Sequence, residues 1–129
     1  MRILVCGGRG FGLVLPADRL SENRVAQAKI ERDLFEATMA GFDNVTCIIH
    51  GKATGADALA DQWAKKRSIA IESYPADWVT YGKAAGPLRN KQMLTQGKPD
   101  LVLAFPGGAG TANMINLARA NFIEVQVVT

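Results

Sequence analysis

The sequence predicts an α/β fold in which five parallel strands alternate with helices. Short, largely apolar runs recur along the chain, as in strands that are buried on both faces of a parallel sheet. Segments with helical spacing separate these runs, and right-handed crossovers between parallel strands need such helices. Glycine-rich turns follow the first and the fourth run. Together these observations indicate a single domain, residues 1–129, folded as a Rossmann-like three-layer sandwich with strand order 3-2-1-4-5.

Local signals place the elements in order. The run Arg2–Cys6 stops at a glycine pair and is the first predicted strand. Ser21 is a good N-cap for a first helix over Glu22–Met39, which Gly41 ends. The other predicted elements are a strand at Val45–Ile49, a helix at Ala56–Lys66, a strand at Ile69–Ser73, a helix at Pro87–Gln96, a strand at Leu101–Phe105, a helix at Thr111–Asn121 and a strand at Ile123–Val128. Residues 8–21 and 74–86 are predicted to be loops.

Composition narrows the class of protein. Fifteen Lys and Arg residues against 12 Asp and Glu residues give a formal net charge of +3, which favours anionic partners. No apolar run approaches the roughly 18 residues that a membrane span needs, so we expect a cytoplasmic protein with no membrane partner. One histidine and two cysteines in apolar runs are too few ligands for a metal site, and no cofactor is predicted.

The segment Pro106–Thr111, PGGAGT, carries the strongest functional signal. It joins a predicted strand to a predicted helix, and the first turn of a helix presents unpaired N–H groups that bind anions. Thr111 can cap this helix and donate its hydroxyl to a phosphate oxygen. We therefore expect a phosphorylated small molecule to be bound by Pro106, Gly107, Gly108, Gly110 and Thr111.

The turn after the first strand faces the same crevice, because ligands of open α/β sheets bind where the strand order reverses. It contains Gly7, Gly8 and Arg9 but does not match GxGxxG in register, which disfavours a dehydrogenase. Two interpretations of Arg9 are open: its guanidinium binds phosphate in a bidentate manner, or it is a solvated loop residue.

The turn after the second strand is a third loop at this edge of the sheet. It lacks the Gly-Lys-Ser/Thr ending of a P-loop, although Lys52 can bind phosphate as a point charge. Asp57 either complements the helix dipole or contacts a ligand hydroxyl. His50 is either a buried residue at a strand end or a general base. The predicted ligand-binding residues of this loop are His50, Gly51, Lys52, Thr54, Gly55 and Asp57.

The segment 74–90 adds aromatic and basic side chains to the crevice mouth. Trp78 and Tyr81 can stack on a base, or they can cover the end of the sheet as packing residues. Lys83 lies in the same loop, and Arg89 and Asn90 follow Pro87 at the predicted start of a helix. These positions favour contacts of Lys83, Arg89 and Asn90 with a phosphate or a ribose.

Five separated blocks together resemble the SLOG superfamily, and more narrowly its small YspA-related branch found in bacteria and phages. The blocks are CGGR, HGKATGADALADQWA, YPADW, GKAAGPLRNKQML and DLVLAFPGGAGTANM. The resemblance implies a nucleotide or nucleotide-derived ligand at the switch point, with phosphate on PGGAGT. It also implies a homo-oligomer, a dimer or larger, for which Phe35, Trp63 and Phe122 are candidate contacts.

Three functions follow from the sequence. The first is binding of a nucleotide, for instance an ADP-ribose-like molecule, by a sensor or sequestering protein. The second is hydrolysis of the N-glycosidic bond of a nucleoside 5′-monophosphate, as in the LOG enzymes of the superfamily; their glutamate is replaced here by Met114, so Asp57 or Asp77 would have to supply the carboxylate. The third is single-stranded nucleic-acid binding, which the absence of a basic stripe interleaved with aromatics disfavours.

Overall fold

A computed structural model describes the whole chain, residues 1–129, and contains one parallel sheet. The sheet has five strands in the order β3-β2-β1-β4-β5. They are β1 (Arg2–Cys6), β2 (Cys47–His50), β3 (Ala70–Ser73), β4 (Leu101–Ala104) and β5 (Glu124–Val127). The predicted α/β fold class and strand order are confirmed.

Helices cover both faces of the sheet. They are α1 (Glu22–Met39), α2 (Ala56–Lys66), α3 (Trp78–Tyr81), α4 (Ala85–Gly97) and α5 (Ala109–Ala120), and 3-10 turns occupy Pro16–Asp18 and Gly82–Ala84. One buried core lies between the sheet and α1 and α2, and a second lies between the sheet and α4 and α5. None of the helices combines the length and the apolar character that a membrane crossing requires.

The central strands explain where the site lies. Ile3 pairs in register with Ile48 on one side and with Leu101 on the other, and β1, β2 and β4 are almost completely buried. The chain leaves β1 toward the α1 face and leaves β4 toward the α5 face. The connections that follow the two strands therefore diverge and open a crevice at the switch point.

Strands β2 to β5 and the ends of α4 and α5 differ from the sequence prediction by one or two residues, and three differences bear on the site. Helix α5 begins at Ala109 with Gly108 as its N-cap, so Thr111 lies within the first turn and does not cap the helix. Helix α4 begins two residues before Pro87, which the first turn tolerates because its N–H groups need no helical acceptor. Helix α3 lies in a predicted loop, where Asp77 caps it by accepting a hydrogen bond from the N–H of Thr80 at 3.1 Å.

The structure also corrects two of the candidate oligomer contacts. Phe35 and Trp63 are 1% and 4% exposed and belong to the core beneath α1 and α2, so they are not available to a second chain. Phe122 is 97% exposed at the turn before β5. The homo-oligomer stays a prediction.

Candidate functional site

A cavity of about 530 Å³ occupies the crevice between the ends of β1 and β4. Loops after β1 and β2, the start of α4 and the first turn of α5 form its walls. The structure brings together in its lining the predicted residues Gly7, Gly8, Arg9, Asp57, Trp78, Lys83, Arg89, Asn90, Gly108, Gly110 and Thr111. The predicted residues His50, Gly51, Lys52, Thr54, Gly55, Pro106 and Gly107 lie outside this lining.

The first turn of α5 supplies the cavity with hydrogen-bond donors that have no partner within the protein. The first helical bond of this turn runs from the N–H of Ala112 to the carbonyl of Gly108 at 3.0 Å. The N–H groups of Ala109, Gly110 and Thr111 therefore have no acceptor within the protein. Thr111 is only 8% exposed, and its hydroxyl also lacks a hydrogen-bond partner. Four donors thus converge at the positive end of a helix dipole.

Glycines without side chains allow the two loops beside this turn to touch. The N–H of Gly8 donates to the carbonyl of Pro106 at 2.9 Å. A Cβ atom on Gly107 would lie 2.7 Å from the nitrogen of Gly8, closer than real Cβ atoms approach. Pro106 and Gly107 therefore hold the loops together from behind the cavity. Their predicted role as ligand contacts stays a prediction.

Three cationic side chains, Arg9, Lys83 and Arg89, line the cavity. The Arg9 guanidinium lies 5.0 Å from the ring centre of Trp78, within the range of a cation–π interaction. Nη1 of Arg89 donates to the carbonyl of Gly51 at 2.5 Å. Burial lowers the pKa of Arg89, and nearby Asp57 opposes this change. Arg89 is thus anchored at the β2 loop, and its Nη2 has no partner within the protein.

Asn90 positions its neighbours. Its Oδ1 accepts from Nε of Arg89 at 3.1 Å, and its Nδ2 donates to the carbonyl of Gly110 at 3.2 Å and to Oδ1 of Asn113 at 3.0 Å. Because its amide bonds to Arg89 on one side and to α5 on the other, Asn90 fixes Arg89 relative to the first turn of α5. Asn113 lines the cavity and was not predicted; its position three residues after Gly110, on the same face of α5, is the signal that could have found it.

Asp57 is the acidic residue of the lining and is 7% exposed. Its Oδ2 accepts from the N–H of Gly51 at 3.1 Å and from the N–H of Ala53 at 3.2 Å, which closes the loop between β2 and α2. Burial raises the pKa of Asp57, and these two backbone donors only partly offset the effect. Asp77, the other candidate carboxylate, is exposed at the start of α3 and does not line the cavity.

The raised pKa of Asp57 predicts a pH-dependent effect of Asp57→Asn. Above its pKa in the folded protein, the ionised carboxylate is penalised by burial, so we expect the neutral amide to raise the free energy of unfolding at pH 7. The gain should shrink as the pH falls through that pKa and vanish below the ordinary carboxyl value of 3.8. Urea unfolding at a series of pH values measures this. A gain that does not change with pH would contradict it.

His50 lies behind the cavity wall rather than in it. It is 3% exposed, and its Nδ1 accepts from the N–H of Lys52 at 2.9 Å. The proton therefore sits on Nε2, which donates to Oδ1 of Asp61 at 2.9 Å. Both nitrogens are engaged, so the structure favours the buried strand-end interpretation over a general base. Lys52 itself does not reach the cavity lining.

Thr54 and Gly55 brace the Arg9 loop. The Thr54 hydroxyl donates to the carbonyl of Arg9 at 2.8 Å, and the N–H of Ala56 donates to the carbonyl of Gly8 at 3.2 Å. Gly55 has a φ of 77° and packs directly against these carbonyl groups. On the far side of Gly8 and Arg9, Thr54 and Pro106 line a second, more open cavity of about 540 Å³.

Comparison with known proteins identifies the family. The sequence profile described as the YspA, cpYpsA-related SLOG family matches residues 1–81. The chain belongs to this family. It is also similar to the Gene 61 protein of Mycobacterium phage D29, with 40% identity over 85 residues that cover 60% of this chain and 67% of the phage protein. No solved structure gave a significant match.

The region matched to the YspA-related SLOG family contains β1, β2 and β3 with their loops. Met114, where LOG enzymes of the superfamily carry a glutamate, is fully buried in the core beneath α4 and α5. This SLOG chain therefore presents no acid at that position. Cys6 does line the cavity, but burial raises the pKa of its thiol to about 12, so it stays protonated at neutral pH.

Proposed function

We propose that this protein binds a nucleotide or nucleotide-derived ligand, such as an ADP-ribose-like molecule, and acts as a sensor or sequestering protein. One observation carries the proposal: the free N–H groups of Ala109, Gly110 and Thr111 and the unpaired Thr111 hydroxyl open into one cavity. Such donors at a helix N-terminus suit a phosphate group. Membership of a SLOG family agrees with a nucleotide-related ligand.

The charges and the shape of the cavity support the same ligand. Three cations against one carboxylate give the lining a net positive charge that attracts phosphate. Trp78 is 47% exposed at the rim, where its ring offers a surface for stacking a base. A volume of about 530 Å³ falls within the range of small-molecule sites.

Ligand capture from a defined mixture tests the proposal. The purified protein is incubated with AMP, ADP-ribose, cyclic ADP-ribose and NAD, and the free and protein-bound fractions are analysed by mass spectrometry after denaturation. We expect an intact nucleotide to be recovered from the protein and inorganic phosphate to compete with it. Recovery of no nucleotide, together with no heat of binding at millimolar concentration, would contradict the proposal.

Hydrolysis is the second candidate, because the buried carboxylate of Asp57 faces the same cavity as the phosphate donors. A carboxylic acid with a raised pKa is suited to proton transfer. Release of free base in the same experiment, abolished by Asp57→Asn, would support it. Base release that survives the double substitution of Asp57 and Asp77 by alanine would exclude both carboxylates as its source.

A further inference from the structure

The two oxygens of the Asp57 carboxylate have different surroundings. Both backbone donors, Gly51 and Ala53, are directed to Oδ2, and Oδ1 has no hydrogen-bond partner within the protein. Among the fully occluded side-chain polar atoms, only Trp63 Nε1 lacks a partner. Oδ1 of Asp57 also lacks a partner, so it is not fully occluded. Since Asp57 lines the cavity, this oxygen opens into it.

A carboxylate oxygen accepts hydrogen bonds, so a group that contacts Oδ1 has to donate one. Arg89 attracts Asp57 electrostatically, but its bonds go to the carbonyls of Gly51 and Tyr74 and to Asn90. A phosphate oxygen is an acceptor and carries negative charge, so it does not suit this position. The ligand must therefore bring a hydroxyl or an amine to Asp57 as well as a phosphate to α5.

The depth at which Asp57 and Trp78 lie in the cavity indicates whether a hydroxyl or an amine of the ligand meets Asp57. Asp57 is 7% exposed in the second position of α2, whereas Trp78 is 47% exposed at the rim. With the base against Trp78 and the phosphate on the first turn of α5, the sugar is the part of a nucleotide left to meet Asp57. The donors of a sugar are its hydroxyl groups.

We propose that Oδ1 of Asp57 accepts a hydrogen bond from a ribose hydroxyl and that the site selects ribonucleotides over deoxyribonucleotides. This inference rests on the proposed nucleotide-binding function. A site that hydrogen-bonds a hydroxyl rejects the analogue that lacks it, because the buried acceptor is then left without a partner. A phosphate on the same hydroxyl would place two negative charges together and would also be rejected.

Calorimetric titration with AMP, 2′-deoxy-AMP and 3′-deoxy-AMP tests the inference. Hydrogen bonds to charged groups typically change affinity by about 10-fold to 100-fold. We expect at least one deoxy analogue to bind about 10-fold or more weakly than AMP to the unaltered protein. Equal affinity for all three would overturn the ribose contact but would still support nucleotide binding at this site. Failure of all three to bind would count against both proposals.

The variant Asp57→Asn assigns the selectivity to this side chain. Its amide oxygen can still accept from Gly51 and Ala53, while its NH₂ group replaces the acceptor that faces the cavity. The ratio of AMP to deoxy-AMP affinity should fall toward 1, because a neutral amide forms a weaker hydrogen bond with a hydroxyl than a carboxylate does. Asp33→Asn removes the same charge at an exposed site on α1 and should keep the ratio. A ratio unchanged in a folded Asp57→Asn protein, as judged by circular dichroism, would overturn the assignment.

Discussion

Substituting Gly55 by alanine is expected to lower the free energy of unfolding by about 3 kcal/mol or more. Gly55 has a φ of 77°, which side-chain-bearing residues rarely adopt. A Cβ atom there would also lie 2.6 Å from the carbonyl carbon of Arg9. Since that atom belongs to the backbone, the conflict cannot be relieved by a rotamer change, and the β1 loop has to move.

Gly82→Ala is the matched control, because the two glycines differ chiefly in their surroundings. Gly82 has a φ of 53° and a ψ of −130°, close to the 77° and −125° of Gly55, but no atom lies within 4 Å of its Cβ position. Backbone strain alone should cost about 1 to 3 kcal/mol. Urea unfolding followed by circular dichroism measures the free energy of unfolding of both variants. Equal losses would show that contact between the two loops adds nothing.

The same substitution connects stability to the site. The carbonyl groups of Gly8 and Arg9, which the added methyl group would displace, accept hydrogen bonds from Ala56 and Thr54. Displacing them moves the Arg9 side chain away from Trp78 and from the cavity mouth. Any Gly55→Ala protein that remains folded should therefore bind anions more weakly, whereas Gly82→Ala should bind them normally.

The sequence was sufficient to predict the bounds of a helix or strand where the signal for that element is local. The bounds of β1, α1 and α2 were predicted as observed, since apolar runs, the Ser21 cap and helical spacing can be recognised within a few residues. The start of α5 was placed two residues late, because a prediction looks for a side-chain cap and Gly108 has no side chain. The short helix α3 was missed although Asp77 caps it, since four residues give too little periodicity.

The candidate site depended on contacts that a linear sequence does not show. In a sequence, a glycine that faces a ligand cannot be distinguished from one that faces another loop. The prediction of Gly55 and Gly107 as ligand contacts could therefore not include their close packing against the neighbouring β1 loop. Asn90 was also predicted to meet the ligand. Its partner Asn113 lies 23 residues further along the chain, and only the packing of α4 on α5 brings the two amides together.

Placing a carboxylate at Gly110 is expected to separate binding from stability. Gly110 lies in the first turn of α5, and a Cβ atom there meets no other atom within 4 Å. Replacing a helical glycine by aspartate and adding a negative charge at the positive end of the dipole both stabilise a helix, by about 0.1 to 0.3 kcal/mol and about 0.3 to 1 kcal/mol respectively. Gly110→Asp should therefore melt at the same temperature as the unaltered protein or higher.

The same charge should exclude a phosphate from the cavity. A like charge about 4 Å away costs about 4 kcal/mol at the effective dielectric constant near a protein surface, which corresponds to an affinity loss of about 1000-fold. Gly110→Asn matches the size of the aspartate without its charge. Calorimetric titration of both variants with the captured nucleotide, at low and at moderate salt, separates the effect of the charge from the effect of side-chain size.

The pattern across these variants decides what occupies the first turn of α5. Loss of affinity in Gly110→Asp that exceeds the loss in Gly110→Asn, and that shrinks as salt screens the charges, places an anionic group at the N–H donors. Equal losses would mean that the side chain blocks an uncharged part of the ligand. Unchanged affinity in Gly110→Asp would move the phosphate away from α5, to the guanidinium groups of Arg9 and Arg89 at the mouth of the cavity.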